Sequence, residues 1–365
     1  MQIAMFGSSL VSAYWNGAAT YYRGVISALH RLGHQVTFYE SNAFDRQRFR
    51  DIPDPAYARV VTYDATSTAA VEAALAEAAQ WAHVLIKCSG VGVFDELLEQ
   101  AVPDLQDEGK VVIFWDVDAP ATLDRMRRDE DDPFRQQVPR YDLVLTYGGG
   151  VPVVRGYEEE FGARRCVPVY NALDPETHHP VAPQRKFQAA LGFLGNRLPD
   201  REQRVDEFFV TPARLRPDDR FLLGGSGWGD KALPPNVNYV SHVFTGDHNA
   251  FNCSTRAVLN VSRESMARNG YSPATRVFEA AGAAACLITD DWAGIEIFLE
   301  PGREVLVARS GQEVAAIMDS LSPQRAKAIG LAAQQRVLSE HTYTHRGREL
   351  EQLLSESLAQ IGSRV

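Results

Sequence analysis

"MQIAMFGSSLVSAYWNGAATYYRGVISALHRLGHQVTFYE" (residues 1–40) carries the order of signals that decides the fold. The short apolar run IAMF reads as a strand. Ala18, Tyr22, Val25, Leu29 and Leu32 then recur at helical spacing. Gly33 ends the helix, and QVTFYE resumes as a strand of alternating and aromatic character. Strand, helix, strand in this order is a βαβ unit, which predicts a parallel sheet with right-handed crossovers.

The rhythm continues outward from that unit. HVLIK (83–87), VVIFWD (111–116) and DLVLTY (142–147) are almost wholly apolar, as expected of strands covered on both faces. Each runs into a polar or glycine-rich turn, where open α/β sheets place their ligands. From Asn171 to Lys186 the pattern breaks, with three prolines and no apolar period. A second α/β series follows: ALGFLG, RFLLGG, VNYVS, AVLNVS, ACLITD and EVLVA. With 365 residues, two cores are expected rather than one. The predicted organisation is a first doubly wound domain over 1–172, a linker over 173–187 and a second doubly wound domain over 188–345. A C-terminal helix over 346–365 is expected to return toward the first domain. Two such α/β domains facing one another form a cleft, a favoured place for a small ligand.

Composition narrows the function. Hydrophobic residues make up 45% and charged residues 23%, as in globular proteins. The formal charge of −10 disfavours nucleic acid or an anionic membrane as a general partner. No basic leader precedes the first apolar residues, so no signal peptide is expected, and no apolar run is long enough to span a bilayer. Cys88, Cys166, Cys253 and Cys286 are scattered without metal-ligand spacing, which fits free thiols in the cytoplasm.

In the first half, the opening βαβ turn invites a dinucleotide, but Gly7 is followed by Ser8 and Ser9 rather than by the glycine fingerprint. Asp116 and Asp118 form a D-x-D at a strand end. A metal bridge there is the minority reading, and Asp118 is read instead as an acid able to orient or deprotonate a hydroxyl, or else as a turn cap. Thr122 is a possible cap for the helix that follows. Lys87 ends a strand and is read either as a solvated tip or as part of a ligand rim. Gly149 lies in a glycine run that permits close backbone approach or merely a flexible turn.

The second half points more sharply to an anion. GFLGNRLPDREQRV runs a strand into Gly195, Asn196 and Arg197, and arginine grips phosphate with two parallel donors. GGSGWGD places Trp228 at another strand end, where it either stacks on a base or covers the core. NGYSPATRVFEAAGAAACLITDDWAG (269–294) sets Gly270, Tyr271 and Ser272 ahead of a helix, with Arg263, Arg268 and Arg276 close by. A helix start offers unpaired N–H groups and a positive dipole end, which favour a phosphate over a merely solvated basic face. One turn into that helix, Glu279 has two oxygens able to accept both hydroxyls of a ribose.

With these stretches together, the chain resembles the CgeB-like branch of the two-domain GT-B glycosyltransferases. WNGAATYYRGVISALHRLGHQVTFYE, VLIKCSGVG, WDVDAPATL, YDLVLTYGGG, FLGNRLPDR and GYSPATRVFEAAGAAACLITDDWAGIEIFLEPGREVLVA carry the likeness. It implies a nucleoside-diphosphate-sugar donor, as co-substrate, held by the second domain and an acceptor held by the first, with no metal or other cofactor. By this comparison Glu279 contacts the ribose, Arg276, Ser272 and Gly270 lie by the nucleotide and phosphates, and Arg197 faces the diphosphate. Asn16, Gly17, Thr20 and Asp118 line the acceptor side. One departure stands out: retaining members often carry a second glutamate eight positions before the ribose acid, and here that position is Tyr271. A catalytically silent nucleotide-sugar-binding protein and a nucleotide-sugar epimerase therefore stay open beside sugar transfer.

Overall fold

The computed structural model describes residues 1–14 and 16–362. The chain divides into two compact units, Met1–Tyr170 with Tyr343–Val365, and Asn171–Thr342. The first unit holds β1 (Gln2–Gly7), β2 (Gln35–Ser41), β3 (Arg59–Tyr63), β4 (Val84–Cys88), β5 (Val111–Asp116), β6 (Leu143–Thr146) and β7 (Cys166–Pro168). They form one seven-stranded sheet in the order β3-β2-β1-β4-β5-β6-β7, parallel at every pairing. The inner strands β4 and β5 are buried at every residue, which is why their sequences read as unbroken apolar runs. Edge strand β3 is half-exposed and carries Arg59 and Thr62, and edge strand β7 is only three residues long, so the apolar-run criterion passes over both.

The second unit repeats the scheme with β8 (Ala189–Leu194), β9 (Phe221–Gly224), β10 (Val237–Tyr239), β11 (Thr255–Asn260), β12 (Leu287–Asp290) and β13 (Leu306–Ala308). The order is β10-β9-β8-β11-β12-β13, again parallel throughout. Leu191, Phe193, Phe221, Leu223, Ala257, Leu259 and Ile288 point into one core with Phe209, Val314 and Ile329 from the covering helices. Each such fully buried side chain contributes about 1.5–3 kcal/mol. Both units are thus doubly wound α/β domains, as the sequence predicts.

Two boundaries differ from expectation. The segment after Asn171 belongs to the second unit: Leu173 donates to the His341 carbonyl at 2.8 Å, and Asn249 Nδ2 donates to the Thr177 carbonyl at 2.9 Å. The C-terminal helix starts at Tyr343, not at 346, and belongs to the first unit; residues 363–365 of its expected span lie outside the described residues. Close approach to the Ala19–Arg31 helix explains two glycines. A Cβ on Gly24 would lie 2.3 Å from the Tyr343 ring, and one on Gly347 would lie 2.7 Å from Ala28 Cβ. Helices meeting over such small residues come closer than side chains would otherwise allow.

Candidate functional site

In the second sheet β8 and β11 are neighbours whose onward connections run to opposite sides, a topological switch point. Open α/β sheets bind ligands beyond the carboxyl ends of strands at such points. Beyond β8 lies Gly195, and two arginines close on it. A Cβ there would sit 3.0 Å from Arg201 Nη2 and 3.1 Å from Arg276 Nη2. Arg276 donates to the Leu194 carbonyl, and Arg201 to that of Asn196. Both guanidiniums lie over the Phe193 ring, at 5.1 and 5.6 Å from its centroid. Arg201 Nε is buried with no hydrogen-bond partner. Burial, then the charge of Arg276, pushes the Arg201 guanidinium down to about 10; burial also lowers Arg276, against the pull of Glu279 and Asp290.

The surrounding arginines are paired differently. Arg197 meets Glu202 through two bonds of 2.8 and 2.7 Å and Asp230 at 2.8 Å. Arg204 meets Asp290 at 2.6 Å, and Arg263 meets Asp200 at 2.6 Å. Arg201 and Arg276 form no ion pair with a carboxylate among the described residues. Two cations converge on one glycine with carboxylates nearby but none in direct contact, an arrangement that an incoming anion relieves. Sequence reading singles out Arg197 because it is nearer the strand end and passes over Arg201; the acid at Glu202, five residues on, is the signal that Arg197 is claimed locally.

Trp228 requires a correction. It is 1% exposed, donates Nε1–H to the Gly195 carbonyl at 2.8 Å and packs edge-on against Phe193, so no face is open to a base. Its indole braces the loop instead. Asn196 does the same with Oδ1, which accepts from Ser226 N at 2.9 Å.

The turn at 270–272 is built by backbone constraint. Gly270 has φ +68°, and a Cβ on it would lie 2.7 Å from the Ala293 carbonyl oxygen. Tyr271 follows at φ +49°, donates N–H to that same oxygen at 2.6 Å and lays its ring against Gly294. A non-glycine residue in this region is strained and persists only where its surroundings hold it. Ser272 is buried, and the Thr275–Gly282 helix begins three residues after it without a side-chain cap. Val277 N–H donates to the Ala274 carbonyl at 3.0 Å, so the N–H groups of Thr275 and Arg276 and the helix dipole remain for an anion. Arg276 and Glu279 both belong to this helix, three residues apart and hence on one face.

In the first unit the switch point lies between β1 and β4. Several residues expected near an acceptor are engaged otherwise. Lys87 is 0% exposed and gives Nζ to Asp95 at 2.7 Å and Glu99 at 3.2 Å. It lies on the sheet face covered by the Asp95–Asp104 helix, so it ties sheet to helix rather than tipping a rim. Asn16 is also corrected: Nδ2 donates to the Ser9 and Ser12 carbonyls at 2.8 and 3.0 Å, and Oδ1 accepts from Ser8 at 2.9 Å, which pins the loop after β1. Gly17 and Thr20 are exposed at the start of the Ala19–Arg31 helix. Gly149 has φ +93°, and a Cβ there would collide with Val153, so its glycine character is set by the helix start.

The D-x-D splits into two roles. Asp116 is fully buried and accepts from Ser89 Oγ at 2.8 Å, Asp118 N at 2.9 Å and Tyr157 Oη at 2.5 Å. Asp118 is half-buried at the start of the Ala119–Arg128 helix and makes no side-chain capping bond. Thr122 lies inside that helix and does not cap it.

Residues 201–352 match a family described as glycosyl transferase-like. Sucrose-phosphate synthase from Thermosynechococcus elongatus superposes with a TM-score of 0.74 at 12% identity, covering 99% of this chain and 100% of that one. HepE from Anabaena, in complex with UDP and glucose, gives 0.66 at 14% identity, with 98% and 100% covered. An alpha-glucosyltransferase in complex with UDP-glucose and DNA containing an abasic site gives 0.68 at 10%, with 97% and 99% covered. No curated protein matches the chain by sequence. The fold is that of the two-domain GT-B glycosyltransferase structures, and residues 201–352 carry a glycosyl transferase-like segment within it. Among the described residues no helix is long and apolar enough to cross a membrane.

Proposed function

We propose that the second unit binds a nucleoside-diphosphate sugar and that the enzyme transfers the sugar to an acceptor hydroxyl without a catalytic metal, as a CgeB-like member of its class. The observation that carries this reading is the pair Arg201 and Arg276, converging on Gly195 without a carboxylate partner. Glycosyl transfer passes through an oxocarbenium-like state, and its main cost is the departing diphosphate. Donors fixed before the reaction stabilise that charge without reorganising. Arg201, Arg276 and the first N–H groups of the Thr275–Gly282 helix supply them. Glu279 takes the ribose hydroxyls, with Gly270, Tyr271 and Ser272 forming the turn beside them. Asp118 orients or deprotonates the acceptor hydroxyl, with Gly17 and Thr20 on the acceptor side. The four free thiols suit a reducing cytoplasm.

The first test is donor hydrolysis. Incubated with UDP-glucose and its GDP, dTDP and CDP counterparts without acceptor, the enzyme should release free sugar slowly from one of them. Tyr271 in place of a sugar-side acid favours one second reading, a silent binder. Binding without turnover across donors and acceptors would establish that alternative; a changed sugar still attached to the nucleotide would reveal an epimerase.

A further inference from the structure

Three side chains of the second unit converge outside the arginine pair. His178 comes from the segment entering the unit, His248 from the Thr245–Ser254 helix and Glu279 from the Thr275–Gly282 helix. One donor atom from each lies within 4.8 Å of the other two, and His178 Nε2 is 3.9 Å from Glu279 Oε1. The segments are fixed to one another. Asn249 bonds the Thr177 carbonyl, and Gly282 packs against Leu173 and the His178 carbonyl with no room for a Cβ.

Two ring nitrogens in this cluster have no hydrogen-bond partner. His178 is 4% exposed, and its Nε2 is buried without a hydrogen bond; His248 Nδ1 is likewise buried and unbonded. The tautomer of His248 follows from its other nitrogen. Nε2 lies 3.2 Å from the Val243 carbonyl, which only accepts, so Nε2 carries the proton and Nδ1 presents a lone pair inward. A backbone carbonyl holding the far N–H of an imidazole is the usual orienting contact behind a metal-bound histidine. Leaving buried polar atoms unsatisfied is costly, so a ligand that engages both nitrogens is favoured.

We propose that His178 Nε2, His248 Nδ1 and the Glu279 carboxylate form a binding site for a divalent transition metal of the zinc class. Two imidazoles and one carboxylate suit zinc or cobalt better than magnesium or calcium, which take oxygen ligands. A four-coordinate zinc with bonds of about 2.0–2.1 Å needs donors roughly 3.3 Å apart, so the side chains close by small rotations. Three protein ligands leave one position open. On the function proposed above, Glu279 also receives the ribose, so metal and nucleotide compete for one carboxylate and the metal acts as an inhibitor.

Titration with Co2+, followed by visible absorption, tests the site on the full chain without nucleotide. One ion per chain with the intense bands of a four-coordinate complex is expected. Its affinity should fall at least tenfold in His178→Ala and in His248→Gln, with the melting curve showing each variant folded. Absent bands, or unchanged affinity in both folded variants, overturns the site. Adding UDP then separates the two ideas: displacement of Co2+ supports the shared carboxylate. Ligand-dependent Co2+ binding that UDP leaves untouched keeps the metal site and removes Glu279 from the ribose.

Discussion

Arg201 and Arg276 reach the same point, so that a methyl group on Gly195 would stand 3.0 Å from one Nη2 and 3.1 Å from the other. Like charges held this close repel, and both guanidiniums are depressed by burial, Arg201 further by its neighbour. A diphosphate between them reverses the sign of that interaction. Removing either arginine should weaken nucleoside-diphosphate binding by about 10- to 100-fold, from charge-assisted bonds worth roughly 1.5–3 kcal/mol. Gly195→Ala should weaken binding through displaced guanidiniums while leaving the fold in place. Calorimetric affinities of the three variants check this; an unchanged value in all of them would exclude the pair.

Glu279 is read as the ribose acid. Wild-type enzyme should therefore prefer UDP to 2′-deoxy-UDP, and Glu279→Ala should erase most of that preference. The ratio of the two affinities is the informative number, because it is insensitive to general damage. A preserved ratio in a folded variant would remove Glu279 from the sugar.

Lys87 offers the opposite case, a residue whose role is structural. Its ammonium is fully buried between Asp95 and Glu99, and burial raises the Glu99 carboxyl even with Lys87 beside it. Removing one partner of such a group typically costs about 3–5 kcal/mol. Lys87→Met should lower stability in urea by an amount of that order, and nucleotide affinity should stay as in the wild type. A stable variant with impaired acceptor use would instead return Lys87 to the site.

The loop that carries Arg197 has a pH signature. Glu202 is held down to about 2, first by hydrogen bonds from Arg197 and then by those from Lys231. Free glutamate titrates near 4.3. Since the folded value lies below the unfolded one, ionised Glu202 adds stability above about pH 4.3 that is lost as pH falls toward 2. The difference in melting temperature between wild type and Glu202→Gln should be widest at pH 6 and should shrink by pH 3. A difference constant over that range would contradict the pairing.

The central strands were legible because burial on both faces leaves little choice but Val, Ile, Leu and Phe, as in VVIFWD. β3 escaped the same criterion because an edge strand keeps polar residues such as Arg59 and Thr62, and β7 because three residues are too short a run. The turn at Gly270 and the helix after it were legible from local spacing alone. What proximity in sequence misassigned were long side chains with two possible directions. Lys87 points into the sheet face under a helix, and Arg197 turns to Glu202 on the following helix and Asp230 on the loop after β9. Arg201, one helical turn further, stands nearer the switch point. His178 and His248 lie 70 residues apart, and no spacing signal links them; only packing of the entry segment on two helices does.

A diphosphate site beyond β8 and β11 is tested most directly by calorimetric titration of UDP, GDP, dTDP and CDP into wild-type enzyme and Arg276→Ala. One of the four should bind at a single site per chain and lose at least tenfold in affinity in the variant. If none binds, or if the preferred nucleotide binds both forms equally, the site is not where these residues place it.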